Sequence, residues 1–227
     1  MRVRLDRALS KLGLASRSEA KQLIAGGRVR VRGRVVTDAA HLVRAETATI
    51  TVDGEKPPAR AWRTIALNKP RGVLTTRRDP EGRRTVFDVL GDAGDGLVAV
   101  GRLDMASTGL LILTNDTQLA NTLTDPAAGI IRRYVVTVRG SVSDDAAARM
   151  KAGIDGLAAS SVLVRKRSAR ETHLIVELVE GKNREIRRMF DALGHEVTRL
   201  MRIAFGTIEL GLLQPGEWRE VARDELQ

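Results

Sequence analysis

Apolar residues near the start of the chain recur at helical spacing. A first helix is predicted by apolar positions three and four residues apart: Leu5, Ala8, Leu9 and Leu12. Gly13 ends this pattern. Residues 16–19, Ser-Arg-Ser-Glu, have the form of a capping box and predict the start of a second helix. The residues that this second helix would bury are Ala20, Leu23 and Ile24.

Alternation of apolar and polar residues then predicts a small sheet. In residues 28–33, RVRVRG, two valines alternate with arginines, so one strand face is apolar and the other is cationic. The arginines on that cationic face are Arg28, Arg30 and Arg32. Gly33 predicts a turn, and residues 35–36 and 48–52 predict returning strands. The first 55 residues are therefore expected to form two short helices and a small sheet.

The rest of the chain mixes strands and helices without regular order. Residues 56–60, KPPAR, disfavour a helix and mark the best domain boundary. Strands are predicted at residues 64–67, 134–138 and 172–179. Helices are predicted at residues 118–123, 144–151 and 184–193, and residues 86–90 form a short helix or strand. This pattern predicts an α+β fold with a first domain at 1–56, a linker at 57–62 and a second domain at 63–227 with a mixed, mainly antiparallel sheet.

The charge is concentrated at the start of the chain. The net charge is +10, and the first 60 residues hold 13 lysines and arginines against six acidic residues. A basic unit of this kind favours a polyanionic partner, although arginine on a surface also serves solubility. The chain has no cysteine, and its three histidines are far apart, so no metal site is expected. No stretch has the length and apolarity of a membrane helix or a signal peptide, so the cytoplasm is the expected location.

One acidic residue has an unusual setting. In residues 101–116, GRLDMASTGLLILTND, Asp104 lies between Arg102 and the apolar run 110–113. A carboxylate at the edge of a buried strand is costly unless another group pairs with it. The residues alone leave two interpretations open: Asp104 caps a helix or strand, or it belongs to a catalytic site.

Three further elements carry chemistry. Tyr134 follows two arginines at a strand start, and Leu200 lies in the segment RLMRIAFG at 199–206. The segment EGKNREIRRMF at 180–190 places several arginines on or beside one helical turn: Arg184, Arg187 and Arg188. From the residues alone, a single tyrosine is more often a core or rim residue than a site residue. A cluster of arginines on a helix is usually solvated, although here it belongs to a protein whose charge favours nucleic acid. Composition and pattern thus indicate a basic two-domain protein with one acid of interest.

The basic start of the chain resembles a known RNA-binding module. It is similar to the alpha-L motif of the ribosomal-protein-four type, in the residues Leu5-Asp6, Ser16-Arg17, Ala20, Ile24, Gly27-Arg28-Val29 and Val31. Arg32 stands where that motif has an asparagine. The resemblance implies an RNA-binding domain at 1–56 whose phosphate contacts include Arg17, Arg28, Arg30 and Arg32. Such contacts supply affinity and register without reading sequence.

The larger part resembles the pseudouridine synthases. Residues 101–116 are similar to the catalytic motif of that family, residues 180–190 to its second signature, and residues 67–72, LNKPRG, to its entry strand. The order of these segments behind a basic module is that of the branch that modifies ribosomal RNA and includes the small-subunit uridine synthases. The resemblance implies the family's α+β fold and uridine isomerisation without any cofactor or metal.

The same resemblance implies roles for site residues. Asp104 would be the nucleophile, Arg187 would pair with its carboxylate, and Tyr134 would stack on a flipped target base. Arg102 would contact the flipped nucleotide or support the Asp104 loop, and Leu200 would line the pocket. Attack on the ribose and proton abstraction to a glycal both remain open as first steps. Apart from the resemblance, phosphate contacts are preferred for Lys69, Arg77, Arg78, Arg83 and Arg84, with solvated loop charges as the alternative. RNA contacts are also expected from Arg184 and Arg188.

The substrate class follows from the resemblance as well. The loop RRDPEGRRTVFD at 77–88 is similar to that of members acting on large-subunit RNA, which favours 23S over 16S ribosomal RNA. A monomer acting on ribosomal RNA or a pre-ribosomal subunit is expected. A non-catalytic RNA-binding assembly factor is the alternative, but such a protein has no need for a carboxylate such as Asp104 facing RNA. An RNA methyltransferase would require a glycine-rich cofactor loop, which the sequence lacks.

Overall fold

A computed structural model describes residues 2–12, 14–15, 17–44, 48–55 and 61–226. Contacts divide the described chain into two compact units. The first consists of residues within 1–63, 96–98 and 114–119, and the second of residues within 64–95, 99–113 and 120–227. Three predicted features lie outside the described residues: the helix stop at Gly13, the capping residue Ser16 and the linker residues 57–60.

The first unit contains two short helices and two small sheets. Its elements are β1 (Val3–Arg4), α1 (Leu5–Lys11), α2 (Arg17–Ala25), β2 (Val29–Val31), β3 (Arg34–Val35), β4 (Leu42–Val43) and β5 (Ile50–Val52). Strands β3, β2 and β5 form one antiparallel sheet, and β1 pairs with β4 in the other. The two predicted helices and the predicted small sheet are confirmed.

The helices of this unit share one apolar core with the sheet. The fully buried side chains of the helices are Leu5, Ala8, Leu9, Ala20 and Ile24. The predicted burial of Leu23 was too broad, because this side chain is only partly buried. Leu12, the last position of the first helical pattern, follows the end of α1 and is exposed. Arg32 was wrongly placed in a strand. It has a φ of 51° and forms the turn after β2 together with Gly33, so its side chain leaves the register of Arg30.

The remaining elements are larger and include a nine-stranded sheet. They are β6 (Thr64–Lys69), α3 (Val86–Leu90), β7 (Val98–Ala99), β8 (Thr108–Thr114), α4 (Thr117–Thr124), β9 (Arg132–Arg139), α5 (Asp144–Ala152), β10 (Ser161–Arg167), β11 (Glu171–Leu178), α6 (Glu185–Ala192), β12 (Val197–Phe205), β13 (Ile208–Glu209) and β14 (Trp218–Glu220). Short 3₁₀ helices occupy residues 91–94, 126–128 and 224–226.

The sheet is mixed and mainly antiparallel, as predicted. Its strand order is β10-β11-β9-β12-β8-β6-β14, with β13 beside β12 and β7 beside β8. Strands β12 and β8 run parallel, whereas the pairs β10–β11, β11–β9, β9–β12 and β6–β14 are antiparallel. The pattern did not predict β10, β12 or β14. The predicted helices correspond to α4, α5 and α6, and residues 86–90 form a helix.

The register of β9 and β12 determines which side chains share one sheet face. Tyr134 lies opposite Arg202, and Arg132 lies opposite Phe205. On the other side, β8 approaches β12 so closely that a Cβ atom at Gly109 would lie 2.2 Å from the carbonyl oxygen of Arg202. Gly109 also has a φ of 97°. Glycine at this position therefore permits the β8–β12 contact.

The described part of the chain contains neither a membrane-spanning helix nor a cluster of metal ligands. No helix there is long and apolar enough to cross a membrane. Among the same residues, no group of three histidine, aspartate or glutamate side chains could hold a metal ion.

Candidate active site

A cavity of about 340 Å³ opens over the sheet of the second unit. Its size is within the range of cavities that bind small ligands. Five residues singled out from the sequence line it together: Arg102, Asp104, Tyr134, Arg184 and Leu200. They come from the loop before β8, from β9, from the residue before α6 and from β12. The structure thus collects side chains that are up to 98 positions apart in the sequence.

The loop that carries Asp104 is fixed by hydrogen bonds on both sides of the carboxylate. On one side, the Thr75 hydroxyl donates to the Leu103 carbonyl at 2.9 Å and accepts from the Leu103 amide at 3.2 Å. On the other side, the Ser107 amide donates to the Asp104 carbonyl at 3.0 Å, which closes a turn. The carboxylate is therefore held by the loop backbone rather than by its own contacts.

The Asp104 carboxylate has a loose cationic neighbour. Nη1 of Arg184 lies 3.5 Å from Oδ2 of Asp104, and the two side chains are 50% and 32% exposed. Arg184 has a φ of 49° and immediately precedes α6. The pairing expected from the resemblance is thus corrected, because the ion pair recorded for Asp104 in the described chain involves Arg184 and not Arg187.

Arg187 is one turn further along α6 and is held elsewhere. Its Nη1 donates to the Val197 carbonyl at 2.8 Å, and its Nε is buried without a hydrogen-bond partner among the described residues. Burial lowers the pKa of Arg187, the charges of Arg184 and Arg71 lower it further, and Asp104 acts in the opposite direction. The charge of Asp104 therefore acts on the pKa of Arg187 although the two side chains form no hydrogen bond or ion pair with each other.

Lys69 has a different position from the expected phosphate contact. Its side chain is fully buried at the end of β6. Nζ donates to the Ser107 carbonyl at 2.8 Å and to the Pro70 carbonyl at 3.0 Å, so it braces the turn behind Asp104. Burial lowers the pKa of Lys69 to about 8, while the charge of Asp104 opposes that shift. A lysine without solvent exposure cannot reach RNA phosphate, and the expectation was wrong.

Tyr134 is 8% exposed and lies in the wall of the cavity, together with two buried arginines that sequence reasoning missed. These are Arg132, two positions earlier on β9, and Arg202, two positions after Leu200 on β12. The available signal was the strand period, since residues two apart on a strand share a face. Arginines were instead assumed to be solvated, which is their usual state.

Glu185 is a further buried group at the cavity. Its Oε2 accepts a hydrogen bond from the Lys182 amide at 3.1 Å, and its side chain is almost fully buried. Burial raises the pKa of Glu185, while the Lys182 amide acts in the opposite direction. The carboxyl group thereby fixes the loop that ends in Arg184.

Several of the expected phosphate contacts remain on the surface. The exposed arginines among them are Arg17, Arg28, Arg30, Arg32, Arg77, Arg78, Arg83, Arg84, Arg184 and Arg188. Arg28 forms a bidentate pair with Asp53, at 2.9 Å and 2.6 Å. Arg83 pairs with Asp79 at 2.8 Å. Phosphate binding by either arginine would have to compete with these carboxylates.

Comparisons with known proteins agree with this arrangement. The family model for RNA pseudouridylate synthase matches residues 63–192, and the model for the S4 domain matches residues 3–48. A protein of Aquifex aeolicus (strain VF5), named as an uncharacterized RNA pseudouridine synthase, is 40% identical over 231 residues, which cover 100% of this chain and 93% of that protein. The ribosomal large subunit pseudouridine synthase B of Yersinia pestis is 38% identical over 229 residues, which cover 96% of this chain and 72% of that protein.

A solved structure extends the agreement to the fold. The crystal structure of a pseudouridylate synthase matches with a TM-score of 0.67 and 27% identity, and the match covers 99% of this chain and 98% of that one. The synthase model covers more than half of the chain, and the relatives align along nearly all of it. This chain therefore belongs to the RNA pseudouridylate synthase family.

Proposed function

We propose that this chain isomerises a uridine of large-subunit (23S) ribosomal RNA to pseudouridine, with Asp104 as the nucleophile. The observation that carries the proposal is the Asp104 carboxylate in the wall of a cavity that also contains Tyr134 and Leu200. The name of the Yersinia pestis relative supports the large-subunit substrate. The similarity of residues 77–88 to the loop of large-subunit enzymes supports it as well.

The chemistry requires a carboxylate held close to a sugar. The bond between C1′ and N1 of the target uridine breaks, the uracil turns within the cavity, and C5 of the base then bonds to C1′. Asp104 either attacks the ribose or removes a sugar proton to give a glycal. In both routes its charge has to be kept in a partly dehydrated site, and the nearby Arg184 and Arg187 supply the compensating positive charge.

Base flipping gives Tyr134 its role. A uridine within folded RNA has to leave its stack before its C1′ can be reached, and an aromatic face offsets part of the lost stacking energy. Tyr134 is the single tyrosine of the chain and lies opposite Arg202 on the sheet below the cavity. Leu200 would contact the base from β12. Arg102 would contact the sugar-phosphate backbone of the flipped nucleotide.

The basic first unit would hold the RNA. We assign residues 1–56 to an RNA-binding domain, 57–62 to a linker and 63–227 to the catalytic domain. Arg17, Arg30 and Arg32 are exposed and suited to phosphate contacts, and Arg28 would have to exchange Asp53 for phosphate. The protein would act as a cytoplasmic monomer on ribosomal RNA or a pre-ribosomal subunit, without cofactor or metal.

Replacement of Asp104 tests the catalytic proposal. The Asp104→Asn variant should lose tritium release from ribosomal RNA labelled at C5 of uridine while it keeps the RNA affinity of the wild type. Asp145→Asn is the matched control, because Asp145 is exposed on α5 outside the cavity and the substitution removes the same charge. Tritium release by Asp104→Asn at the rate of Asp145→Asn would exclude Asp104 as the nucleophile.

Mapping of modified uridines tests the substrate. Ribosomal RNA from cells that lack the gene should have lost pseudouridine at one or more 23S positions, and the wild-type gene should restore it. Loss of a 16S pseudouridine instead would move the proposal to the small subunit. Unchanged modification of both RNAs would favour a non-catalytic assembly factor.

A further inference from the structure

Two buried arginines lie beneath the cavity and have no part in the function described so far. Arg202 is on β12 opposite Tyr134, and Arg132 is on β9 opposite Phe205. All four side chains line the cavity. The Cζ atoms of Arg132 and Arg202 lie 4.8 Å and 5.1 Å from the centre of the Phe205 ring. Both guanidinium groups therefore lie within cation–π distance of one aromatic ring that lines the cavity.

Arg132 has its hydrogen-bonding capacity largely filled by backbone. Its guanidinium donates to the carbonyl oxygens of Ile130 at 2.8 Å, of Leu123 at 3.1 Å and of Val179. Its side chain is 5% exposed, and burial lowers its pKa. Among the described residues it forms no ion pair, and the Glu185 carboxylate, which lines the same cavity, opposes the lowering of its pKa from beyond ion-pair distance.

In the described chain, fewer of the hydrogen-bond donors of Arg202 have partners than those of Arg132. Its side chain is 3% exposed, and its Nε donates to the Leu110 carbonyl at 2.7 Å. Its Nη2 is buried and has no hydrogen-bond partner among the described residues. A buried charged donor without a partner is costly, and such a cost is normally offset by a group that binds there. Nη2 itself is closed off from solvent, but the Arg202 side chain lines the cavity, so its positive charge favours an anion bound there.

The reaction itself creates such an anion. When the bond between N1 and C1′ breaks, its electron pair stays on N1, and the detached uracil becomes a monoanion with charge shared by its carbonyl oxygens. C1′ bonds to the Asp104 carboxylate, or a sugar proton passes to it. When C5 later bonds to C1′, the bond between C1′ and Asp104 breaks and frees the carboxylate, or the proton held by Asp104 returns to the sugar carbon of the glycal. The C5 proton is then lost to solvent and N1 gains a proton, so nothing is oxidised or reduced. The negative charge on the base therefore exists only while the base is detached.

We propose that Arg202, together with Arg132, stabilises the detached uracil anion in this cavity. The proposal rests on the proposed function, in that the base which stacks on Tyr134 is a target uridine. Fixed positive charge aimed at the site where negative charge develops is the arrangement that lowers a barrier most, since it needs no reorganisation during the reaction. Arg184 and Arg187 would serve the carboxylate, and Arg202 and Arg132 would serve the leaving base.

The test compares two substrates whose leaving bases differ. RNA containing 5-fluorouridine at the target position gives a more stable base anion than uridine, since fluorine withdraws electrons. Arg202→Met, which removes the charge, should slow single-turnover loss of the N1-linked uridine by about 10²–10³-fold. The reduction in rate that Arg202→Met causes should be clearly smaller with 5-fluorouridine, and the Kd for RNA should not change. Arg202→Lys, which keeps a charge, should retain more activity and the wild-type ratio between the two substrates.

The control and the contrary results are specific. Arg199→Met removes an exposed charge three residues earlier on β12 and should leave both rates unchanged. An equal reduction in rate on both substrates would mean that Arg202 only supports packing and would overturn the proposal. If circular dichroism shows that Arg202→Met does not fold, the neutral variant Arg202→Gln replaces it. The ratio of its rates on the uridine and 5-fluorouridine substrates then tests the proposal in the same way. A wild-type enzyme inactive on ribosomal RNA would contradict the proposed function instead.

Discussion

Arg184 Nη1 lies 3.5 Å from Asp104 Oδ2, although the two residues are 80 positions apart in the sequence. Both side chains are partly exposed, and an ion pair of this kind contributes little to stability. The contact instead brings positive charge to a carboxylate at the cavity wall. A second cation, Arg187, influences the same region from a more buried position.

The two arginines should respond differently to replacement. Arg184→Ala should change the free energy of unfolding by less than about 1 kcal/mol, because the lost pair is partly solvated. Arg187→Ala should cost about 1–3 kcal/mol, because the Val197 carbonyl loses the donor that satisfies it at 2.8 Å. Urea denaturation measures both, with Arg188→Ala as an exposed control on the same helix. Equal stability of the Arg184 and Arg187 variants would contradict this distinction.

Lys69 should give stability a pH dependence of known sign. Its pKa in the folded protein is about 8, below the ordinary 10.5, so the folded state binds fewer protons than the unfolded chain between these values. The burial penalty, about 3 kcal/mol, is therefore present in full below pH 8 and is relieved as the pH rises towards 10.5.

Comparison with a variant isolates this effect. The free energy of unfolding of the wild type, minus that of Lys69→Met, should increase between pH 7.5 and pH 10 in urea denaturation. The methionine variant keeps much of the side-chain volume and lacks the titrating group. A difference that stays constant or decreases with pH would show that the Lys69 pKa is not lowered by burial.

The exposed arginines of the first unit should control the salt dependence of RNA binding. Replacement of Arg17, Arg30 and Arg32 together by glutamine should reduce the magnitude of the slope of log K against log salt by about 2–3, at roughly 0.7–0.9 for each phosphate contact. The control replaces Arg149, Lys151 and Arg170, which are exposed in the second unit, and removes the same charge. The same reduction in both triple variants would argue for a general effect of net charge.

The sequence predicted the periodic elements well and the buried cations poorly. Strand β9 and helix α6 could be predicted because their apolar residues follow one period. Strand β12 could not, because Arg202 stands at a buried position and interrupts its apolar pattern. Lys69 was misjudged for the same reason, as lysine and arginine are almost always exposed. The contact of Asp104 with Arg184 depends on tertiary structure, which the local pattern of either segment does not contain.

The close approach of β8 to β12 makes Gly109 a sensitive position. An alanine Cβ there would lie 2.2 Å from the Arg202 carbonyl oxygen and 2.8 Å from its amide nitrogen, at a φ of 97°. Backbone atoms cannot move aside without separating the strands, so Gly109→Ala should lose about 4 kcal/mol or more, or fail to fold. Gly140→Ala is the matched control, since Gly140 has a φ of 79° with no atom within 4 Å of the added Cβ. That variant should lose only about 1–2 kcal/mol. Equal losses in chemical denaturation would mean that the clash is relieved and that β12, with Arg202 opposite Tyr134, is more adaptable than its register implies.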